Sequence, residues 1–180
     1  MYSARIITNR TILRPLDVND VSERYLGWLR DKASLQYISA AALQPDITAL
    51  RQYVLERSGR EDVVFLGIFE KDTGLHIGNL KYEPVNTNLG YAIMGILIGE
   101  SDWRGKGIAA EVIAASANLL FKRSDIKQII LGVSRSNTSA IRAYQKIGFI
   151  EKLSEYIPNV SAENMTMIWD IGETESPLMQ

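Results

Sequence analysis

The stretch "GYAIMGILIGESDWRGKGIAAEV", residues 90–112, decides the architecture of this chain. Its first ten residues are an apolar run that reads as a strand. A short polar loop with two glycines, Gly105 and Gly107, and two cations, Arg104 and Lys106, follows. Residues 108–121 are alanine-rich, and Ile113, Ala117 and Leu120, with Ala109 at the start, keep a helical spacing. The next apolar run, "QIILGVS" at 128–134, reads as a buried strand. A strand, a helix and a second strand in this order require a parallel pair joined by a crossover.

The flanking sequence is antiparallel in character. "DVVFLGIFE" (62–70), a "KDTG" turn (71–74) and "LHIGNLKYEPV" (75–85) predict a hairpin, and "NTN" (86–88) turns the chain into the strand of 90–99. Residues 5–16, rich in β-branched side chains and closed by Pro15, predict one leading strand. Asp20 or Ser22 is placed to cap a helix reaching Asp31, and Asp46 to cap another carrying Leu50, Tyr53, Val54 and Arg57. Downstream, Asn137 caps a helix with Ala140, Ile141, Tyr144 and Ile147 on one face, and Gly148 ends it. "FIEKLSEYI" (149–157) and "NMTMIWDI" (164–171) predict two closing strands. The fold class is therefore α+β with a mixed, mostly antiparallel sheet. The chain is expected to form a single domain over 1–180, with its core at 5–171 and a frayed tail at 172–180.

Composition narrows the chemistry. The 180 residues are 46% hydrophobic and 23% charged, with a net charge of −1. That balance gives no basic field for nucleic acid, and no apolar stretch approaches the roughly 20 residues of a membrane span. The first residues lack the apolar core of a signal peptide, so a cytoplasmic location is expected. Cysteine is absent, which removes disulfides, zinc–thiolate sites and a cysteine nucleophile. His76 is the single histidine, so a histidine-built metal site is not expected either. Asn-x-Ser/Thr matches at Asn9, Asn137, Asn159 and Asn164 carry no meaning without a secretory signal.

The loop at 101–109 has the makings of an anion seat. A helix start offers free N–H groups, glycines let a ligand approach the backbone, and Arg104 and Lys106 add charge. A basic glycine turn with no ligand is the competing reading. A P-loop requires a first glycine where Glu100 stands and a Ser or Thr where Gly107 stands, and so fails twice. "GKGIAA" (105–110) matches a dinucleotide fingerprint, but Asp125 precedes the next strand rather than ending it, and residues 99–104 separate the strand from the first glycine.

Two segments together carry a resemblance. "RGKGIA", through Arg104, Gly107 and Ala109, resembles the Arg/Gln-x-x-Gly-x-Gly/Ala motif of the GNAT N-acetyltransferase superfamily. "NTSAIRAYQKIGF" (137–149) resembles that family's Asn-x-x-(Ser/Ala)-x-x-x-Tyr-x-Lys-x-Gly-Phe block. The likeness spans about residues 5–171, and "HIGNLKYEPV" and "GILIGESDWRGKGIA" resemble the branch that acetylates ribosomal-protein N-termini, antibiotics and aminated nucleotide sugars.

The resemblance implies a GNAT-type sheet with splayed parallel strands, flanked by helices, and acetyl-CoA as co-substrate without a metal. It implies a pyrophosphate on the N–H groups of Arg104, Gly105, Lys106, Gly107, Ile108 and Ala109. Pantetheine pairing falls to Ile96, Leu97 and Ile98, with the Ile98 N–H polarising the thioester carbonyl. Tyr144 matches the tyrosine that protonates the leaving thiolate; at this spacing it also suits a core position. Asn137 matches a cofactor-contacting asparagine and equally suits a cap, and Lys146 and Arg142 are placed either for phosphates or for a solvated helix face. The general base does not carry over; Glu83, Glu100 and Asp102 are candidates by location near the central strands, and His76 by its intrinsic pKa, although a lone histidine opening a strand also suits a structural role. The expected activity is direct acetyl transfer to a primary amine, with an amino sugar or other small amine preferred. A protein N-terminus and a non-catalytic CoA-binding module are the alternatives. A homodimer is compatible with the sheet edges.

Overall fold

The computed structural model describes residues 5–31, 46–158 and 160–171. One eight-stranded sheet organises them, and its strands are named here in chain order. They are β1 (Ile6–Ile7), β2 (Thr11–Pro15), β3 (Val64–Glu70), β4 (His76–Asn86), β5 (Tyr91–Ile98), β6 (Gln128–Ser134), β7 (Ile150–Glu151) and β8 (Asn164–Asp170). Their spatial order is β1-β2-β3-β4-β5-β6-β8-β7. Only β5 and β6 pair in parallel; the other described pairs are antiparallel. The helices are α1 (Glu23–Trp28), α2 (Ile47–Leu55), α3 (Ile108–Ser124) and α4 (Thr138–Ile147).

Side-chain alternation along the strands sorts the core into two layers. On one face Leu66, Ile68, Leu80, Tyr82 and Met94 pack under Val112, Ile113, Ala117 and Leu120 of α3, with Ile147 of α4 in the same cluster. On the other, Phe65 and Leu97 lie beneath Tyr25, Leu26, Trp28 and Leu29 of the α1 segment and Leu50 and Val54 of α2. The second face continues past β5 as Tyr91, Ile93, Ile130 and Ile168, where Tyr156 and Ile157 cover it. Among the described residues, the two crossover strands therefore carry α3 on one face, and on the other Tyr156 and Ile157 rather than a helix cover them.

Several boundaries differ from the sequence reading for local reasons. The leading strand is broken in two, because Thr8 turns the chain: its N–H donates to the Thr11 carbonyl and its Oγ1 accepts from the Thr11 N–H, both at 2.9 Å. Ser22 caps α1, accepting from the Tyr25 N–H at 3.3 Å, but α1 ends at Trp28 rather than Asp31. Asp20 caps no α-helix; it completes a capping box with Asp17 on a one-turn 3-10 helix, accepting from the Asp17 N–H at 2.8 Å, and grips Arg14 at 2.6 Å. Arg57 lies beyond the end of α2, whose cap Asp46 is as expected. α3 extends to Ser124, past the expected Phe121. The closing strand of 149–157 shrinks to Ile150–Glu151, since Tyr156 instead folds onto the sheet and stacks on Tyr91 at 3.8 Å. The tail at 172–180 lies outside the described residues. Among the described residues no helix is long and apolar enough to cross a membrane.

Candidate active site

The parallel pair opens part-way along its length. β5 and β6 are in register at Tyr91–Gln128, Ala92–Ile129 and Ile93–Ile130, and there the pairing stops. β5 runs on against β4 as far as Ile98, while β6 runs on against β8 as far as Ser134. The two strands thus diverge into a V, with the backbone of β5 unpaired on one side.

Antiparallel geometry says which atoms face the gap. The Gly99 N–H donates to the Ile77 carbonyl at 2.9 Å, which makes that pair hydrogen-bonded, and such pairs alternate along the ladder. In the register of β4 with β5, Leu97 opposite Asn79 is then bonded, and Ile96 and Ile98, opposite Leu80 and Gly78, are not. Ile96 and Ile98 turn their backbone groups to the gap. Leu97, expected to share that role, turns its own to β4. The Ile98 carbonyl accepts from Arg104 Nε at 2.9 Å, so the Ile98 N–H is the group left to the gap.

The glycine loop closes the same end. A 3-10 turn, Ser101–Trp103, leads into it, and Gly105 and Gly107 stand at φ 69° and 79°. This left-handed backbone suits glycine. The first-turn N–H groups of α3 have no intrahelical partner and carry the positive end of the helix dipole. Lys106 adds a cation, 5.8 Å over the Trp103 ring.

Arg104, expected at the phosphate, is engaged within the protein. Its backbone N–H goes to the Ser101 carbonyl, and its guanidinium to the Ile98 and Gly99 carbonyls and to Asp31. It ties the end of β5 to the loop.

A residue absent from the sequence reading stabilises this loop from the far edge of the sheet. Arg10, in the turn between β1 and β2, donates through its backbone N–H and Nε to the Glu111 carboxylate, at 2.9 and 2.8 Å. Its Nη1 donates to the Lys106 carbonyl at 2.7 Å. Burial raises the Glu111 pKa, but hydrogen bonds from Thr8 and Arg10 outweigh it and leave the carboxyl below its ordinary value. Arg10 therefore neutralises a carboxylate standing in the first turn of α3, where an anion would otherwise be repelled. The two residues are 101 positions apart, and no local pattern marks them.

Across the gap, α4 presents Asn137, Tyr144 and Lys146 to one cavity of about 2060 Å³, which also touches β5, the glycine loop and Arg142. Asn137 caps α4, accepting from the Ala140 N–H at 3.2 Å. Burial pushes the Tyr144 hydroxyl up to about 12, so it holds its proton at neutral pH. The cavity is about twice the upper end of the usual small-molecule range, enough for two substrates meeting at the V. Its far half is lined by Tyr25, Leu29, Tyr53, Phe65, Lys81 and Tyr156.

The four candidate bases lie off the cavity lining. Glu100 accepts from Trp28 Nε1 at 2.8 Å and pairs with Arg24 at 3.1 Å. Glu83 is held by Lys81, Arg57 and Arg60 at 2.7, 2.9 and 3.0 Å. Burial raises its pKa, but these cations overcome that and keep it low. Asp102 is exposed beside Ser101. His76 stacks on Phe69 at 4.7 Å, and burial lowers its pKa. Its Nε2 lies 3.0 Å from the Gly78 carbonyl and 2.9 Å from Asn79 Oδ1, so this nitrogen carries the proton of the neutral ring. No group of three or more His, Cys, Asp or Glu that could hold a metal occurs among the described residues.

A V-shaped opening in a parallel pair, beside a helix start with a positive end, is an arrangement with room and charge for an extended, phosphorylated cofactor. Comparison with known proteins names the class. Residues 10–150 match the family model described as an acetyltransferase (GNAT) domain. The fold is also that of a ribosomal-protein alpha-N-acetyltransferase, RimL, solved with coenzyme A. That structure is 18% identical with a TM-score of 0.79, covering 93% of this chain and 98% of that one. A spermidine N-acetyltransferase chimera derived in part from Vibrio cholerae is 18% identical with a TM-score of 0.74, covering 89% and 95%. An aminoglycoside acetyltransferase solved with coenzyme A is 22% identical with a TM-score of 0.69, covering 89% and 95%. The chain belongs to the GNAT family of acetyl-CoA-dependent N-acetyltransferases.

Proposed function

We propose that this chain transfers an acetyl group from acetyl-CoA directly to the primary amine of a small molecule, an amino sugar among the candidates. The observation that carries the reading is the convergence of the unpaired β5 backbone and Tyr144 on one cavity. Gly105, Lys106, Gly107, Ile108 and Ala109 offer backbone N–H groups to the pyrophosphate, and the ammonium of Lys106 adds charge. Ile96 and Ile98 pair with the pantetheine arm as an added strand would, whereas Leu97 contributes its side chain to the opposite face.

Acetyl-CoA supplies the acetyl group as a thioester. As the amine nitrogen bonds to the thioester carbon, the Ile98 N–H donates to the carbonyl oxygen where negative charge develops; the C–S bond then breaks, Tyr144 gives its proton to the departing sulfur, and the proton released by the acetylated nitrogen restores the phenol. Asn137 and Lys146 flank Tyr144 on α4 and hold the cofactor. Because the four candidate bases lie away from the described lining, the amine enters as its free base. Activity on the acid side then follows the pKa of the amine itself.

A panel of primary amines, assayed for acetyl-CoA turnover, tests the reading. Turnover of one or more small amines, reduced in Tyr144→Phe, supports it. Turnover restricted to a ribosomal-protein N-terminal peptide would overturn the small-molecule acceptor. CoA binding without turnover by the unaltered protein would make the chain a binding module.

A further inference from the structure

Three features stand out beyond the donor half. The pair of exposed apolar residues near the β7 edge, Ile150 and Leu153, has nothing to say what covers it. The buried Tyr82–Ser116 hydrogen bond closes on itself at 2.7 Å. Among the described residues, Lys81 is the charged group in the far half of the cavity, and it carries an inference about the acceptor.

Lys81 lies on β4 opposite Gly95 of β5 and Phe65 of β3, so the three share a sheet face. Gly95 is exposed, and a Cβ built on it would meet nothing within 4 Å. It is an open floor. Tyr53 and Phe65 wall one side, edge to face at 6.0 Å. Tyr156, stacked on Tyr91, stands on the other. Both walls are flat and largely apolar.

The Lys81 ammonium has three N–H donors. One meets Tyr53 Oη at 2.6 Å and another Glu83 Oε2 at 2.7 Å, leaving the third for the cavity that Lys81 lines. Glu83 does not cancel this charge, because Arg57 and Arg60 share it. The cluster sets three cations (Arg57, Arg60, Lys81) against two carboxylates (Asp62, Glu83), a surplus of one positive charge. Two positions along the same strand face, Asn79 also lines the cavity. Its Oδ1 is taken by His76, and its buried Nδ2 has no partner. The described lining contains Lys81, Arg104, Arg142 and Lys146 but no Asp or Glu. A polycation would find no countercharge in such a lining.

We infer that Lys81 forms an acceptor subsite for an anionic oxygen group, a carboxylate or a phosphate, borne by the amine that is acetylated. The amine-bearing body lies over Gly95 between the aromatic walls, and Lys81 holds the acidic end away from the thioester. This rests on the acetyltransferase reading above.

The test compares matched acceptors with the full chain and acetyl-CoA. Tyrosine against tyramine probes a carboxylate, phosphoethanolamine against ethanolamine probes a phosphate, and spermidine is the polycation. In at least one pair the acidic member is expected to have the higher kcat/KM, and which pair responds tells carboxylate from phosphate. Lys81→Met is expected to reduce that preference on the order of tenfold, the worth of one charge-assisted hydrogen bond. Lys81→Arg should retain most of it. Lys81→Met strands no charge, since Glu83 keeps both arginines, and thermal unfolding checks its fold. Spermidine as the best acceptor, no preference in either pair, or an unchanged preference in Lys81→Met would each overturn the inference. Calorimetry with acetyl-CoA separates the failures: binding without discrimination overturns the subsite alone, and no binding overturns the acetyltransferase reading with it.

Discussion

The two halves of the cleft are made of different material. The half proposed for the donor is mostly backbone: the free side of β5 at Ile96 and Ile98, the loop from Gly105 to Gly107, and the first turn of α3. The half proposed for the acceptor is mostly side chain, drawn from α1, α2, β3, β4 and the Tyr156 loop. A backbone site tolerates many side chains but demands particular glycines and a particular strand separation. A side-chain site is free to change while the fold stays fixed.

Variants should divide along the same line. The largest effect is expected at the junction of the halves. Tyr144→Phe should lower kcat by about 10²–10⁴-fold, the usual contribution of general acid catalysis, with little change in acetyl-CoA affinity. The sign of its pH dependence follows from the raised pKa. Tyr144 must be protonated to act, and burial holds it protonated until about 12, so it should impose no alkaline limb below about pH 11. A fall in kcat centred near the ordinary tyrosine value of about 10 would show an unburied phenol instead.

In the donor half, Gly107→Val should weaken acetyl-CoA binding by about tenfold or more, because a β-branched residue at φ 79° costs roughly 1–2 kcal/mol and deforms the loop. Equilibrium titration reads this directly. Arg10→Ala comes next. It leaves the Glu111 carboxylate unneutralised beside the phosphate seat, and a several-fold loss of affinity is expected, deepening at low salt.

Behind the end of β5, the buried Trp28 lies so close to Gly99 that a Cβ there would sit 1.9 Å from the ring. Gly99→Ala should therefore destabilise the protein by about 1–3 kcal/mol, read from denaturant unfolding, as overpacking does. The smallest effect belongs to two of the sequence-nominated bases. Asp102→Asn and Glu100→Gln should leave kcat within a few-fold of the unaltered protein, and a loss above a hundredfold in either would restore it as the base.

Legibility in the sequence followed this division as well. The crossover of 90–134 was readable because apolar runs and an alanine-rich helix leave local patterns, and parallel pairing then follows from connectivity. The glycine loop and the α4 block were readable for the same reason: a left-handed turn and a helix cap each need particular residues at fixed spacing. Alternation could have separated Leu97 from Ile96 and Ile98, but its phase depends on where β4 bonds to Gly99, which is a tertiary fact. Arg104 carried the right charge for a phosphate, yet three oxygen partners brought near by folding claim its guanidinium. The Arg10–Glu111 pair and the Lys81–Tyr53 hydrogen bond, 28 residues apart, were invisible because contacts between a helix and a distant turn or strand have no sequence period. His76 drew notice by its intrinsic pKa and Glu100 by its location, and stacking on Phe69 and a hydrogen bond from Trp28 give them structural roles.

The central claim is that a backbone-built donor half seats acetyl-CoA at the glycine loop. Calorimetric titration of acetyl-CoA into the unaltered protein and Gly107→Val tests it most directly. The account expects one molecule bound per chain, with affinity reduced about tenfold or more in the variant. No heat of binding to the unaltered protein, or equal affinity in a correctly folded Gly107→Val, would contradict it.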